Sequence, residues 1–363
     1  MRREDFRTLY GRLADEPLLS VYLDGAAADP AMNGAWRVAF ATAVQEVRAL
    51  TRERAPRQAE ALVSALAWVE KELVGISGRL PADGLVAFAT ASAVEHLEHV
   101  HASVPTQLTW KRGPWAAPYL PVLESDETVW VVDVAQDAAD LYRYDGGRAL
   151  TRLSRFEVEV THEAAQTTGV MKSVKETSGF GGSPARDAAD RALREDRRRM
   201  LAAVETSLGT RVAPQDRLLV FGSQTATAHL IRLLRPPLKR SVVAESLEAH
   251  HSEATLLEST RRALALLAGR DFEALLAEVA ERAHRDGHGT LGTIPVRRAV
   301  NRGAVDTLLL SDDFCTRHST VAESLIGGTF RAGGSVRRGD GAAGAGLDRI
   351  GAGVGARLRF PVP

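Results

Sequence analysis

"SGFGGSPARD", residues 178–187, sets Gly179, Gly181 and Gly182 close together before a small hydroxyl, a proline and the first arginine of a basic run. Paired glycines let a backbone take conformations closed to other residues and approach a partner closely. Pro184 suits a first helical turn, where its missing N–H would be unpaired anyway. The stretch therefore marks the end of a long loop and the start of a helix over 184–208. Upstream, "TVWVVDVAQDAADLYRYDGGRALTRLSRFEVEV" (128–160) reads as a strand, a turn at Asp145-Gly146-Gly147, a strand, and a third strand at 155–160. Downstream, Ala189, Leu193, Met200, Val204 and Leu208 form the core-facing stripe of the helix. "DRLLVFGS" (216–223) then reads as a buried strand, "QTATAHLIRLLR" (224–235) as a helix and "RSVVAES" (240–246) as another strand. That order predicts a mixed α/β layer.

Two further units flank this one. "PLLSVYLD" (17–24) is a strand, and "WRVAFATAVQEVRALTRERA" (36–55) and "RQAEALVSALAWVEKELVG" (57–75) carry the three- and four-residue apolar spacing of amphipathic helices. "DGLVAFATASAVEHLEHV" (83–100) returns to strand chemistry. "GPWAAPYLPVL" (113–123) is proline-rich, reads as extended, and marks a domain boundary near 115–125. From about 253, "TLLESTRRALALLAG" and "DFEALLAEVAERAHRDG" read as two helices, the second ended by Gly287. "IPVRRAVNRG" is a short helix stopped by Gly303, "AVDTLLLSDD" a central strand, and "STVAESLIGGTF" a further helical turn or two. The tail is glycine-dense until "ARLRFPV", a final strand.

At 363 residues the chain is long for one domain, and its 45% apolar and 25% charged content is that of a globular protein. No run approaches the ~18 apolar residues of a membrane span. The charged start, "MRREDFRTLYGRL", lacks the apolar core of a signal peptide. The single cysteine, Cys315, fits a reducing compartment. The expectation is a cytoplasmic protein with no membrane partner. The 46 basic and 46 acidic residues argue against indiscriminate coating of nucleic acid, but phosphate binding depends on where arginines cluster. One cluster is Arg186, Arg191, Arg194, Arg197, Arg198 and Arg199. A second runs from 321 to the end.

Most catalytic signatures are missing. There is no Walker loop and no nucleophile elbow. The tail "GAGLDRIGAGVG" mimics a dinucleotide fingerprint, but is read as following no strand, so no cofactor is expected. "FGSQTATAH" is a strand-to-helix turn able to receive an anion, or an ordinary connection. His96, His99 and His101, the pair His284 and His288, and His250-His251 lack the spacing that makes zinc specific, so no metal site is expected. Cys315 lies near His318 in sequence only, which does not make a dyad. The 178–187 loop remains. With Lys172 and Lys175 before it and arginines behind it, it suits insertion into an RNA pocket, with the helix binding phosphates; a plain surface loop is the alternative.

The order of strands, long loop, Gly-Gly, arginine-rich helix, strand, helix and strand resembles the central domain of the archaeo-eukaryotic release factor and Pelota family. In that family's release factors the loop carries Gly-Gly-Gln-Ser-Ala-x-Arg. Here "GGSPAR" (181–186) keeps Gly181, Gly182 and Arg186, while Ser183 stands at the glutamine position or just beyond a deleted one. "NRGAVDTLLLSDDF" (301–314) and "LDRIGAGVGARLRFPV" (347–362) are similar to the family's C-terminal domain, and "LLSVYLD" looks like the N-terminal unit of its bacterial branch. No codon-reading motif is present. The resemblance implies a multidomain α/β fold of three α/β domains: 1–122; 123–250, central and RNase H-like; and 251–363, an α/β sandwich. It further implies a factor that enters the ribosomal A site. Elongation factor Tu or another translational GTPase would dock on the C-terminal domain. Without the glutamine the role is non-hydrolytic, in hibernation or rescue. The alternative is a peptidyl-tRNA hydrolase or a nuclease of the tRNA acceptor end using residues 178–191, with Ser183 as its candidate catalytic residue. Lys172, Lys175, Gly181, Gly182, Ser183, Arg186, Arg191 and Arg194 are the expected RNA-binding residues.

Overall fold

A computed structural model describes residues 3–25, 34–101, 104–124, 128–146, 149–158, 184–213, 216–240, 242–246, 252–285 and 287–362. Its described residues form a multidomain α/β protein with three sheets, held in two compact units. One unit comprises residues 1–126, 146–148 and 264–363; the other comprises 127–145 and 149–263.

In the first unit, β1 (Pro17–Asp24) is the second strand from one edge of a four-stranded antiparallel sheet ordered β3-β2-β1-β4. Its neighbours are β2 (Gly84–Ala89) and β4 (Gln107–Arg112); β3 (Val94–Val100) pairs with β2. Strand alternation sends Leu19, Val21 and Leu23 to one face, against α2 (Ala35–Arg54) and α3 (Ala59–Leu73). Leu18 and Tyr22 go to the other face, where they meet α1 (Arg3–Leu13), which the sequence reading passed over because its charges hide Phe6, Leu9, Tyr10 and Leu13. "GPWAAPYLPVL" is not extended: it holds a 3-10 turn at Ala117–Tyr119 and α4 (Leu120–Glu124). Its Ala116, Tyr119 and Leu120 are buried in the same core, so apolar burial overrides the prolines there.

The C-terminal sheet, ordered β10-β13-β11-β12, belongs to the same unit. Its strands are β10 (Gly289–Leu291), β11 (Val305–Ser311), β12 (Ser335–Gly339) and β13 (Val354–Leu358). The sequences expected to form two helices after 253 form one, Glu253–Arg285, because Gly269 does not break it. This helix stops at Gly287, which has φ +71° and donates its N–H to Arg282 O. Its Phe272, Leu276 and Val279 pack with Leu309 on one face of the sheet. On the other face Leu308 and Leu310 meet the helices Thr293–Asn301 and Ser319–Arg331. Helices on both faces make this an α/β sandwich.

The glycine-dense tail corrects the sequence reading twice. It does follow a strand, β12, and its first part is a helix, Gly341–Gly351. A Cβ at Gly344 would collide with Gly339 O, so glycine is what lets this helix lie against the strand before it. No βαβ unit results, because β12 runs parallel to β11 and β13 antiparallel to it. The final strand starts at Val354, two residues before the "ARLRFPV" expected.

The second unit holds a five-stranded sheet ordered β7-β6-β5-β8-β9. These are β5 (Val129–Val134), β6 (Ala138–Tyr144), β7 (Thr151–Glu157), β8 (Arg217–Gly222) and β9 (Val242–Ser246). Two strands, not one, precede Asp145, because the chain also turns between Val134 and Ala138. β6 is antiparallel to β5 and β7, while β8 and β9 run parallel to β5. Numbered within the unit, the order is 3-2-1-4-5 with only the second strand reversed. This is the RNase H-like arrangement that the resemblance implies for the central domain.

Candidate functional site

The helix α5 (Pro184–Arg211) begins at Pro184, as its fixed φ favours. Its buried stripe is Asp196, Met200, Val204 and Leu208, joined by Leu201. Leu193, expected to face the core, is 41% exposed. Over 191–195 no side chain is buried, so the helix has little cover until Asp196. Ala189, the first residue expected on the stripe, has a side chain that is not described.

The turn between β5 and β6 is tied to the end of β7 and to the middle of α5. Ala135 N–H donates to Ala138 O at 2.9 Å and closes the turn. Asp137 O accepts from Val158 N at 2.8 Å, just after β7. Gln136 O accepts from Arg197 Nε at 2.7 Å, on α5. Three consecutive residues thus bring the end of β7 and the arginine-rich part of α5 together.

The charges around this place are mostly basic and on the surface. Arg191, Arg194, Arg198 and Arg199 are exposed on α5. Glu195 lies 3.7 Å from Arg198 and 3.9 Å from Arg199, and Asp196 is 3.6 Å from Arg199. The two pairs with Glu195 are exposed on both sides, and such pairs hold their partners weakly, ~0–1 kcal/mol, so those guanidinium groups can exchange that carboxylate for a phosphate. On the edge strand β7, Arg152 and Arg155 approach Asp140 at 3.8 and 3.3 Å, and Arg155 also meets Glu157 at 2.7 Å. Tyr142, on the same sheet face as Asp140, has its phenol pushed up to about 12 by burial and then by Asp140 and Glu253, so it stays neutral. The arrangement is suited to binding a polyanion, with donors spread over a helix and a strand edge.

Of the residues expected from sequence, Arg191 and Arg194 stand on this exposed helix, and Arg186 lies in its first turn with a side chain that is not described. Lys172, Lys175, Gly181, Gly182 and Ser183 lie outside the described residues. The sequence reading missed Arg152 and Arg155, whose strand periodicity was visible but whose pairing with β6 was not. It also missed Asp196, which sits four residues before Met200 on the core stripe. Asp196 is 5% exposed, and its Oδ2 has no hydrogen-bond partner.

Several of the other sequence candidates are accounted for in packing, while His250 and His251 lie outside the described residues and His99 Nδ1 is buried without a hydrogen-bond partner. His96 Nε2 lies 3.2 Å from Glu98, and its ring stacks on Phe88 at 6.1 Å. The His288 ring lies 3.3 Å from Leu358 O, and His318 packs on Phe314 at 5.1 Å. Cys315 is partly buried against the core. Ser223 caps the helix Gln224–Leu233 by accepting from Ala226 N. Among the described residues no cluster of three or more His, Cys, Asp or Glu is placed to hold a metal, and no helix is long and apolar enough to cross a membrane.

No protein-family profile and no curated protein matches the chain. Solved structures do. Pelota of Archaeoglobus fulgidus is 16% identical at TM-score 0.39, over 77% of this chain and 80% of its own. An archaeal Pelota, in a model of the ribosome-bound protein with ABCE1, is 13% identical at TM-score 0.42, over 100% and 95%. Dom34 of S. cerevisiae, described as a translation termination-like factor that interacts with Hbs1, is 11% identical at TM-score 0.38, over 66% and 64%. These likenesses are distant, so the fold assignment stands on this chain's own strand orders, and its neighbours are proteins of the Pelota and Dom34 kind.

Proposed function

We propose that this chain is a ribosome-binding translation factor of the release factor and Pelota type, occupying the A site without hydrolysing peptidyl-tRNA, in hibernation or rescue. The observation that carries this reading is the basic N-terminal half of α5. Arg191, Arg194, Arg198 and Arg199 are exposed there, with Arg198 and Arg199 in long surface pairs to Glu195, on an RNase H-like sheet, after Gly181-Gly182-Ser183 in sequence. Arginines on an exposed helix suit the phosphates of a folded RNA, and the paired glycines suit a close approach. The non-hydrolytic part rests on Ser183. Its hydroxyl is shorter than the family's glutamine amide and does not place a water at the same point, where hydrogen-bond contacts of ~2.6–3.2 Å are needed. The remaining parts of the proposal are the division into domains 1–122, 123–250 and 251–363, RNA contact by Lys172, Lys175 and Gly181–Arg186, and docking of elongation factor Tu or a related GTPase on the last domain.

Pelleting with purified ribosomes across a salt series tests the reading. Binding is expected at low salt and should fall steeply as salt rises, because each phosphate contact releases a counterion. Arg194→Glu with Arg198→Glu should weaken it at every salt concentration and flatten the salt slope. Absence of co-sedimentation even at low salt overturns the proposal. Release of peptide from stalled ribosomes by the wild type, lost in Ser183→Ala, would instead establish the hydrolase.

A further inference from the structure

A cavity of about 470 Å³ opens on the N-terminal sheet's helical layer, between the end of α2 and the start of α3. Arg48, Arg52, Ala59, Glu60, Leu62, Val63 and Ser64 line it. Its size lies within the range of small-molecule sites, ~300–1,000 Å³.

Two features of this cavity are costly as they stand. Arg48 and Arg52 are four residues apart on α2, so they share a helix face, and like charges at that spacing repel. No hydrogen bond or ion pair joins either to a described residue, whereas Arg143, Arg155, Arg235, Arg282, Arg285 and Arg357 all have carboxylate partners. Arg48 Nε is moreover buried with no hydrogen-bond partner. A buried donor left unmade costs its full desolvation.

The opposite wall is the first turns of α3. The N-cap of α3, Gln58, gives the helix no side-chain cap; its Oε1 instead accepts from Trp110 Nε1 at 2.7 Å. Glu60 is the one acid on the lining, and no ion pair joins it to either arginine. The rest of the wall is Ala59, Leu62, Val63 and Ser64; Val63 is 52% exposed, and the Ser64 hydroxyl donates to Glu60 O at 3.1 Å. An occupant that answers both the paired arginines and the apolar wall is an organic anion with a compact apolar body.

We propose that this cavity binds a small organic anion, its charged head between Arg48 and Arg52 and its apolar body against Leu62 and Val63. The head relieves the arginine pair, and the body covers Val63. This site is separate from the arginines of α5 and does not depend on ribosome binding.

The test titrates the full chain with 8-anilino-1-naphthalenesulfonate, an aromatic body with one fixed negative charge, followed by its fluorescence. One saturable site is expected. Arg48→Met and Arg52→Met should each weaken it about tenfold or more, the worth of a charge-assisted hydrogen bond. Arg57→Met, on the neighbouring 3-10 turn and off the lining, should leave it unchanged. The neutral analogue N-phenyl-1-naphthylamine should bind far more weakly. The proposal is overturned by the absence of saturable binding, by affinity within twofold of wild type in Arg52→Met, or by equal binding of the neutral analogue. Arg52 is exposed, so its variant keeps the test decisive if Arg48→Met fails to fold.

Discussion

Single residues show where this fold departs from what stability alone would choose. Asp196 opens the buried stripe of α5, yet its Oδ2 is unpartnered, and Arg199 reaches only its other oxygen, at 3.6 Å. A leucine there would extend the stripe of Met200, Val204 and Leu208, and a leucine also favours helix. Asp196→Leu should therefore stabilise by roughly 1–2 kcal/mol, the worth of removing an unsatisfied buried group, read as a higher urea midpoint with an unchanged slope. A lower midpoint would mean the carboxylate has a partner in solution. Glu98 shows the opposite case. Burial alone would raise its carboxyl, but hydrogen bonds from His96 at 3.2 Å and the Tyr119 hydroxyl at 2.6 Å help bring it down to about 2. A carboxyl lowered in the folded state contributes stability that is fully present above its ordinary value near 4.5 and is lost as pH falls through about 2. Glu98→Gln should thus be less stable than wild type at pH 6, and the gap should narrow as pH is lowered from 5 to 3. Parallel denaturation curves at each pH would show a constant gap if the carboxylate did not matter.

At the scale of elements, what was legible in the sequence was what local pattern alone decides. The helices 35–54, 59–73 and 293–301 carry their apolar spacing openly, and β1, β8 and β11 are continuous apolar runs. The misses share one cause, that tertiary contact outweighed local propensity. The helix Gly341–Gly351 forms from a glycine-dense stretch because a close approach to Gly339 excludes a side chain at Gly344. β4, "QLTWKR", looks too polar for a strand, but it lies at a sheet edge, half-buried. Of the site, the arginines of α5 were legible and their exposure was not, since Leu193 reads as core and is exposed. Gly269 shows the converse, a local signal with no tertiary reason. It lies inside Glu253–Arg285, and a Cβ there would meet nothing within 4 Å. Gly269→Ala should stabilise by about 1 kcal/mol through helix propensity alone. A destabilised Gly269→Ala protein in thermal melts would mean the helix bends there in solution.

For the whole molecule, the decisive contacts join residues far apart in the chain. The N-terminal and C-terminal sheets share one core, in which Phe6 of α1 meets Phe330 at 5.3 Å and Tyr119 at 4.9 Å. Sequence pattern cannot show this, because each sheet accounts for its own periodicity without the other. Two details hold the partners close. Glu323, on the helix Ser319–Arg331, accepts from Lys111 Nζ at 2.5 Å and from the N–H groups of Ala116 and Ala117 at 3.1 and 3.0 Å. Gly327 on the same helix lies so near Tyr10 that a Cβ would run into its hydroxyl. Residues 1–126 and 264–363 should accordingly unfold as one cooperative body, and 127–263 as another, giving two calorimetric transitions. Glu323→Ala leaves two backbone donors and an ammonium without their acceptor, and should lower the first body's transition by an amount worth about 2–4 kcal/mol. Gly327→Ala forces the helix off Tyr10 and should lower the same transition by about 1–3 kcal/mol. Neither substitution should move the transition of 127–263. If Glu323→Ala splits the first transition in two, the terminal sheets are separable domains held together chiefly by that carboxylate. If both transitions shift equally, the two bodies are coupled, and the molecule unfolds as one.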